Sequence, residues 1–221
     1  GDISWRGHHR YDIKMVHYLI EFRFHGYAKK HAKSLIHEVA RKFRVRGVIK
    51  NRAVPHITLF GPFTTRHEEK MVSEVVNVGR EFSLVPFIVK GFNYFDKEHK
   101  VIYIDIDPST KLRELRRELA QRLSKISDSQ QWDNKEQFQF HSTVAFRDID
   151  RKFLKIWEYI KEKEEPNIKQ HLLRITILKG KRILYEYDLI LKKLLNRRQA
   201  LSRYWFNKTI KNYKDCLEFE L

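Results

Sequence analysis

The chain has 221 residues, 42% of them hydrophobic and 13% aromatic, enough to bury a sizeable core and to exclude a linker or low-complexity segment. Its 45 Lys and Arg against 28 Asp and Glu leave a net charge of +17, a field that attracts polyanions, nucleic acid first and an acidic membrane surface as the alternative. The lone cysteine, Cys216, excludes an intrachain disulfide, and no run approaches the ~20 apolar residues of a membrane-spanning helix.

Residues 1–12 are polar, lack the apolar run of a secretion signal and read as a solvated end, which together with the single thiol predicts a cytoplasmic protein. Met15 to Phe24 is β-branched, aromatic and apolar, a predicted strand. Ala28 to Phe43 has helical spacing, with Ala32, Ile36 and Ala40 in one row and Leu35, Val39 and Phe43 in the next. Val54 to Phe63 is a strand, Arg66 to Arg80 a helix, and Leu84 to Phe95 a strand interrupted at Gly91. The order then restarts. His99 to Asp105 is a strand, and Thr110 to Ile126 a helix with a Leu112, Leu115, Leu119, Leu123 stripe and Ser109 or Thr110 as its N-cap. Phe138 to Phe146 is a strand, Asp150 to Lys163 a helix and Leu172 to Leu178 a strand.

Both halves thus run strand, helix, strand, helix, strand, a structural duplication with little identity between the copies. The fold class expected is α+β: two pseudo-symmetric lobes, about residues 13–97 and 98–191, with mostly antiparallel sheets facing a central cleft and strand exchange between them allowed. A hairpin at Lys179-Gly180-Lys181 follows, and the basic segment from 192 to 221 reads as a helical extension packed outside. Because the duplication supplies both walls of the cleft, a monomer is expected.

The third element of each half carries the same pattern. Pro55-His56-Ile57-Thr58-Leu59 and Phe140-His141-Ser142-Thr143-Val144 each put an imidazole and a hydroxyl two residues apart, on one side of a strand. One such motif is weak, since most strand histidines pack or face solvent; repetition at equivalent places in a duplicated unit is a strong signal. Two imidazoles divide acid and base work near neutral pH, and two threonine hydroxyls donate to phosphoryl oxygens, a set suited to a phosphodiester. Neither motif has a Cys, Asp or second His at ligand spacing, so no metal and no cofactor is expected.

These residues, with the sequence running on through Ala145-Phe146-Arg147-Asp148 and the closing Arg174 to Lys179 and Glu186-Tyr187-Asp188 strands, resemble the two-histidine (2H) phosphoesterase superfamily. The likeness is to its 2′-5′ RNA ligase / RNA 2′,3′-cyclic phosphodiesterase (LigT-like) branch and spans about Met15 to Leu191. The resemblance implies opening of a ribose 2′,3′-cyclic phosphate to a 2′-phosphate, or joining and cleaving of 2′-5′ RNA linkages. It implies His56 as acid toward the departing O3′, His141 as base on water, and Thr58 and Thr143 as phosphate holders, although nothing in the sequence orders two equivalent imidazoles. The expected partner is RNA or a nucleotide with a 2′,3′-cyclic phosphate or a 2′-5′ linkage. A non-catalytic module that binds RNA ends, and a phosphodiesterase for small nucleotides or 2′-5′ oligoadenylates, are the alternatives.

Regular alternation adds further candidates. Arg147 shares a face with His141 and Thr143 if the strand continues, and would brace the phosphate through paired N–H bonds. Phe60 shares a face with His56 and Thr58, where it would stack on a base or fill the core. Tyr18 and Phe22 are weaker stacking candidates.

Overall fold

The computed structural model describes residues 15–51, 54–128 and 138–219; the polar stretch 1–12 lies outside them. The chain runs β1 (Tyr18–Arg23), α1 (Gly26–Phe43), α2 (Gly47–Asn51), β2 (His56–Phe63), α3 (Glu68–Arg80) and β3 (Val85–Asp96) in its first half. The second half follows with β4 (Lys100–Pro108), α4 (Thr110–Ser124), β5 (His141–Phe146), α5 (Phe153–Lys161) and β6 (Asn167–Leu172). It closes with β7 (Arg174–Lys179), β8 (Arg182–Asp188), β9 (Lys193–Asn196), α6 (Arg197–Ala200) and α7 (Arg203–Phe219).

The fold is α+β, built on two antiparallel sheets of order β2-β1-β7-β8-β9 and β5-β4-β3-β6. The sheets are pseudo-equivalent: each begins with a His-x-Thr strand, and each has its half's first strand second. The third place is exchanged. β3 ends the first half yet pairs with β4, and β7 closes the second half's sequence yet pairs with β1. Each lobe is therefore hydrogen-bonded to chain from both halves and cannot form from one half alone.

Apolar stripes set the packing. Ala28, Ala32, Leu35, Ile36 and Val39 of α1 are buried and press that helix onto β5, the His-x-Thr strand of the other half. Leu112, Leu115, Leu119 and Leu123 of α4 are fully buried, and α4 packs behind β2 and against α3. The α4 start is fixed as expected, with Ser109 accepting the Leu112 N–H at 3.1 Å. β2 and β5, each backed by the helix of the opposite half, also touch one another. Two sheet edges thus meet along the two motif strands.

Three elements differ from expectation. β6 and β7 are two strands broken at Leu173, not one strand from Leu172 to Leu178. Residues 193–196, expected to be helical, form edge strand β9 on β8, and helix resumes at a capping box between Asn196 and Gln199. The short helix α2 fills the gap between the expected helix ending at Phe43 and the expected strand from Val54, where no element was expected. A Cβ on Gly47 would lie 2.0 Å from the Phe146 carbonyl oxygen, so only glycine lets α2 abut the end of β5.

Candidate active site

His56 and Thr58 project from one face of β2, and His141 and Thr143 from one face of β5; all four are half-buried. The two imidazoles are held alike. His56 Nδ1 lies 2.7 Å from the Val54 carbonyl and His141 Nδ1 lies 3.0 Å from the Gln139 carbonyl, in both cases two residues upstream. A carbonyl only accepts, so each Nδ1 carries a hydrogen, and Nε2 is the nitrogen that takes up or gives up the mobile proton.

A second shared feature follows each threonine. Thr58 pairs with Glu21 and Phe60 with Ile20, two steps on β2 for one on β1. Likewise Thr143 pairs with Tyr103 and Ala145 with Ile102, two steps on β5 for one on β4. Each His-x-Thr therefore ends in a β-bulge, a device that re-aims side chains and is common beside active sites. The bulge buries both residues after each threonine: Leu59 and Phe60 in β2, Val144 and Ala145 in β5.

That geometry decides among the further candidates. Phe60 takes the second of its two expected roles: it fills the core, fully buried with its ring 5.1 Å from Phe63, and does not stack on a ligand. Tyr18 and Phe22 are core residues as well. Arg147 does not continue the His141 face, because the bulge breaks the alternation and the strand stops at Phe146. Its backbone turns to φ 73°, and its guanidinium lies over the Phe146 ring. Asp148 serves the fold, its carboxylate accepting the Arg46 and Gly47 amides at 2.7 and 3.1 Å and so tying the end of β5 to α2.

The surroundings of the two histidines differ. In β1, Arg23 is opposite His56 and Glu21 opposite Thr58, and Arg23 Nε donates to the fully buried Glu21 carboxylate at 3.1 Å. In β4, Asp105 is opposite His141 and Tyr103 opposite Thr143. The His141 ring sits 5.0 Å from Tyr103 and 5.1 Å, edge-on, from Phe95. Burial in this aromatic setting holds the His141 pKa below the usual imidazole range, outweighing the Gln139 carbonyl and Asp105, which both favour its protonation. Burial also raises the Asp105 pKa, against the Ile106 amide at 2.9 Å and the Gln139 side-chain amide at 2.8 Å, which stabilise the carboxylate. The Tyr103 hydroxyl is pushed up to about 12 by burial and by Asp105, so it stays a donor throughout the working range. Among the described residues, no group of three or more His, Cys, Asp or Glu side chains is arranged to hold a metal ion.

The description "2′-5′ RNA ligase superfamily" attaches to a family whose model matches residues 29–182, which contain both motifs and the strands opposite His141 and Thr143. The chain belongs to that superfamily. It is thereby a LigT-like member of the 2H phosphoesterases, and the superfamily's chemistry is that of a phosphoesterase. No curated protein matches the sequence. Similar solved structures include a protein described as a phosphoesterase, at 11% identity, covering 82% of this chain and 94% of that one, with a TM-score of 0.45. Kluyveromyces marxianus Usb1 with uridine monophosphate is similar at 11% identity, 83% and 98% coverage and TM-score 0.47. E. coli LigT in apo form is similar at 9% identity, 81% and 92% coverage and TM-score 0.43. No helix among the described residues of this superfamily member is long and apolar enough to cross a membrane.

The residues that sequence reasoning missed are those opposite the motifs: Glu21, Arg23, Tyr103 and Asp105. Their signal was present as alternation. In Ile20-Glu21-Phe22-Arg23-Phe24 and Ile102-Tyr103-Ile104-Asp105-Ile106, polar or amphipathic residues interleave with fully apolar ones, marking a second face that serves something other than the core.

Proposed function

We propose that this protein is a metal-independent RNA 2′,3′-cyclic phosphodiesterase that opens a terminal cyclic phosphate to a 2′-phosphate. The observation that carries the reading is the matched pair: two touching strands, each presenting an imidazole with Nδ1 tied to the carbonyl two residues back, and each with a threonine on the same face. His141, kept neutral by burial, takes a proton from water as the water oxygen bonds to phosphorus. The P–O3′ bond breaks, and His56 gives its proton to O3′. The products are a 2′-phosphate and a free 3′-hydroxyl, and the two imidazoles are left with protonation states exchanged. Thr58 and Thr143 donate to the non-bridging oxygens, where charge grows in the transition state. With a ribose 5′-hydroxyl in place of water, the same ring opening forms a 2′-5′ linkage, and its reverse cleaves one.

The test is a short RNA ending in a 2′,3′-cyclic phosphate, incubated with the protein in excess chelator, with the product's phosphate located by NMR. The reading expects a 2′-phosphate. No turnover, a 3′-phosphate, or activity abolished by the chelator and restored by metal would each overturn it.

A further inference from the structure

A cavity of about 370 Å³ opens on the same face of the five-stranded sheet that carries His56 and Thr58. Its floor is Arg23, Thr176 and Glu186, joined to the motif by register: Arg23 lies opposite His56, Glu21 opposite both Thr58 and Thr176, and Thr176 opposite Glu186. Val54, whose carbonyl holds His56 Nδ1, lines it too. One wall is the β1–α1 junction with Lys29. The other is the α6–α7 junction, from Leu201 to Arg203, with Phe206 one turn on. That second wall lies beyond residue 182, where the superfamily match ends.

The lining has the chemistry of a nucleoside site. Leu201 and Phe206 are 56% and 39% exposed, apolar surface left open where a flat ring can cover it. Thr176 and Glu186 are buried at the floor, with the Thr176 hydroxyl donating to Glu186 at 2.5 Å, so a fixed polar edge lies under the apolar wall. Lys29 and Arg203 supply positive charge on the two walls. The segment 192–214 carries Lys192, Lys193, Arg197, Arg198, Arg203, Lys208, Lys211 and Lys214 and not one Asp or Glu, which favours an anionic ligand on this side of the molecule. The volume is within the ~300–1,000 Å³ common for small-molecule sites.

We propose that this cavity is the subsite for the nucleobase next to the reacting phosphate, with Phe206 and Leu201 covering the base and Lys29 and Arg203 holding the strand's phosphates. The assignment rests on the catalytic reading above for what binds beside His56. It makes the C-terminal helix, which the motifs do not call for, the part of the molecule that recognises the nucleoside.

The experiment uses the full chain and two variants, Phe206→Ala, which removes the ring, and Leu201→Trp, which fills the mouth from an exposed position. Each is titrated by calorimetry with a nucleoside 2′-monophosphate and separately with inorganic phosphate. The wild type is expected to bind the nucleotide at least about tenfold more tightly than phosphate. Each variant should lose roughly fivefold to a hundredfold of nucleotide affinity, the range of one base–aromatic stack, with phosphate affinity unchanged. Equal binding of nucleotide and phosphate by the wild type, or wild-type nucleotide binding in both variants, overturns the subsite. Should a variant fail to fold, amide shifts in the wild type decide: nucleotide must move Lys29, Ser202 and Phe206, and their silence contradicts the proposal. Nucleotide binding here without turnover of any cyclic phosphate would overturn the catalytic reading and keep the subsite. Turnover with unchanged kcat/KM in both variants would do the reverse.

Discussion

The two His-x-Thr strands share their hydrogen bonds and differ in what surrounds them. Each has an imidazole anchored through Nδ1 to the carbonyl two residues back, a threonine on the same face, and a bulge just after it. Beside β2 the neighbours form an ion pair, Glu21 with Arg23. Beside β5 they are the rings of Phe95 and Tyr103 with Asp105. A duplicated scaffold supplies two equivalent proton carriers, and equivalent carriers cannot run a reaction that needs one to start empty and the other full. The environment has to separate them. On the proposed reading, the burial that lowers the His141 pKa makes His141 the carrier that starts empty, and the acid role falls to His56.

The largest effect that could break this comparison is loss of either ring. His56→Ala and His141→Ala are each expected to cost on the order of 10²–10⁴ in kcat on the cyclic substrate, with circular dichroism and Tm unchanged. A loss confined to one of the two would mean that the strands are alike only in shape. Thr58→Ala and Thr143→Ala come next, each lowering kcat/KM by about 10- to 100-fold, the value of a hydrogen bond to a charged oxygen. An effect at only one of them would place the phosphate nearer one strand.

The neighbours sharpen the comparison further. Glu21 is fully buried against Arg23, which is one-quarter exposed, so Glu21→Ala strands a partly buried cation and should cost roughly 2–4 kcal/mol in urea unfolding. Asp105→Asn should leave stability nearly untouched and act on the pH profile instead. The Asp105 charge favours the protonated form of His141, so removing it lowers the His141 pKa further and moves the acid limb of kcat/KM to lower pH by a fraction of a unit. A shift toward higher pH would contradict the arrangement.

Much of this molecule is legible in its residues. The apolar rows of α1 and α4 give two helices, the restart at His99 gives the duplication, and the paired motifs give the candidate site. What local pattern cannot show is pairing at a distance. The exchange of β3 and β7 leaves no mark in either strand's own sequence, because a strand buries its face in the same way whichever neighbour bonds to its edge. β9 is four residues inside a basic run, too short to display a period, and its Leu194 and Leu195 look helical until β8 is placed beside them. The bulges are the instructive case. Leu59-Phe60 and Val144-Ala145 are adjacent apolar pairs, and an apolar pair inside an alternating strand is the visible trace of an extra residue. Taking the strands as regular put Phe60 and Arg147 on the site face. Counting the pairs puts Phe60 in the core and ends β5 before Arg147.

The most direct test of the division of labour is the pH dependence of kcat/KM for the wild type and the two histidine variants. A bell is predicted for the wild type, with an acid limb below the ordinary imidazole pKa of 6.5 that belongs to the half-buried His141. The residual activity of His141→Ala should lack that acid limb and keep the alkaline one, and that of His56→Ala should lack the alkaline limb and keep the acid one. The opposite assignment of limbs, or a wild-type profile flat from about pH 5 to 9, would contradict a base at His141 and an acid at His56.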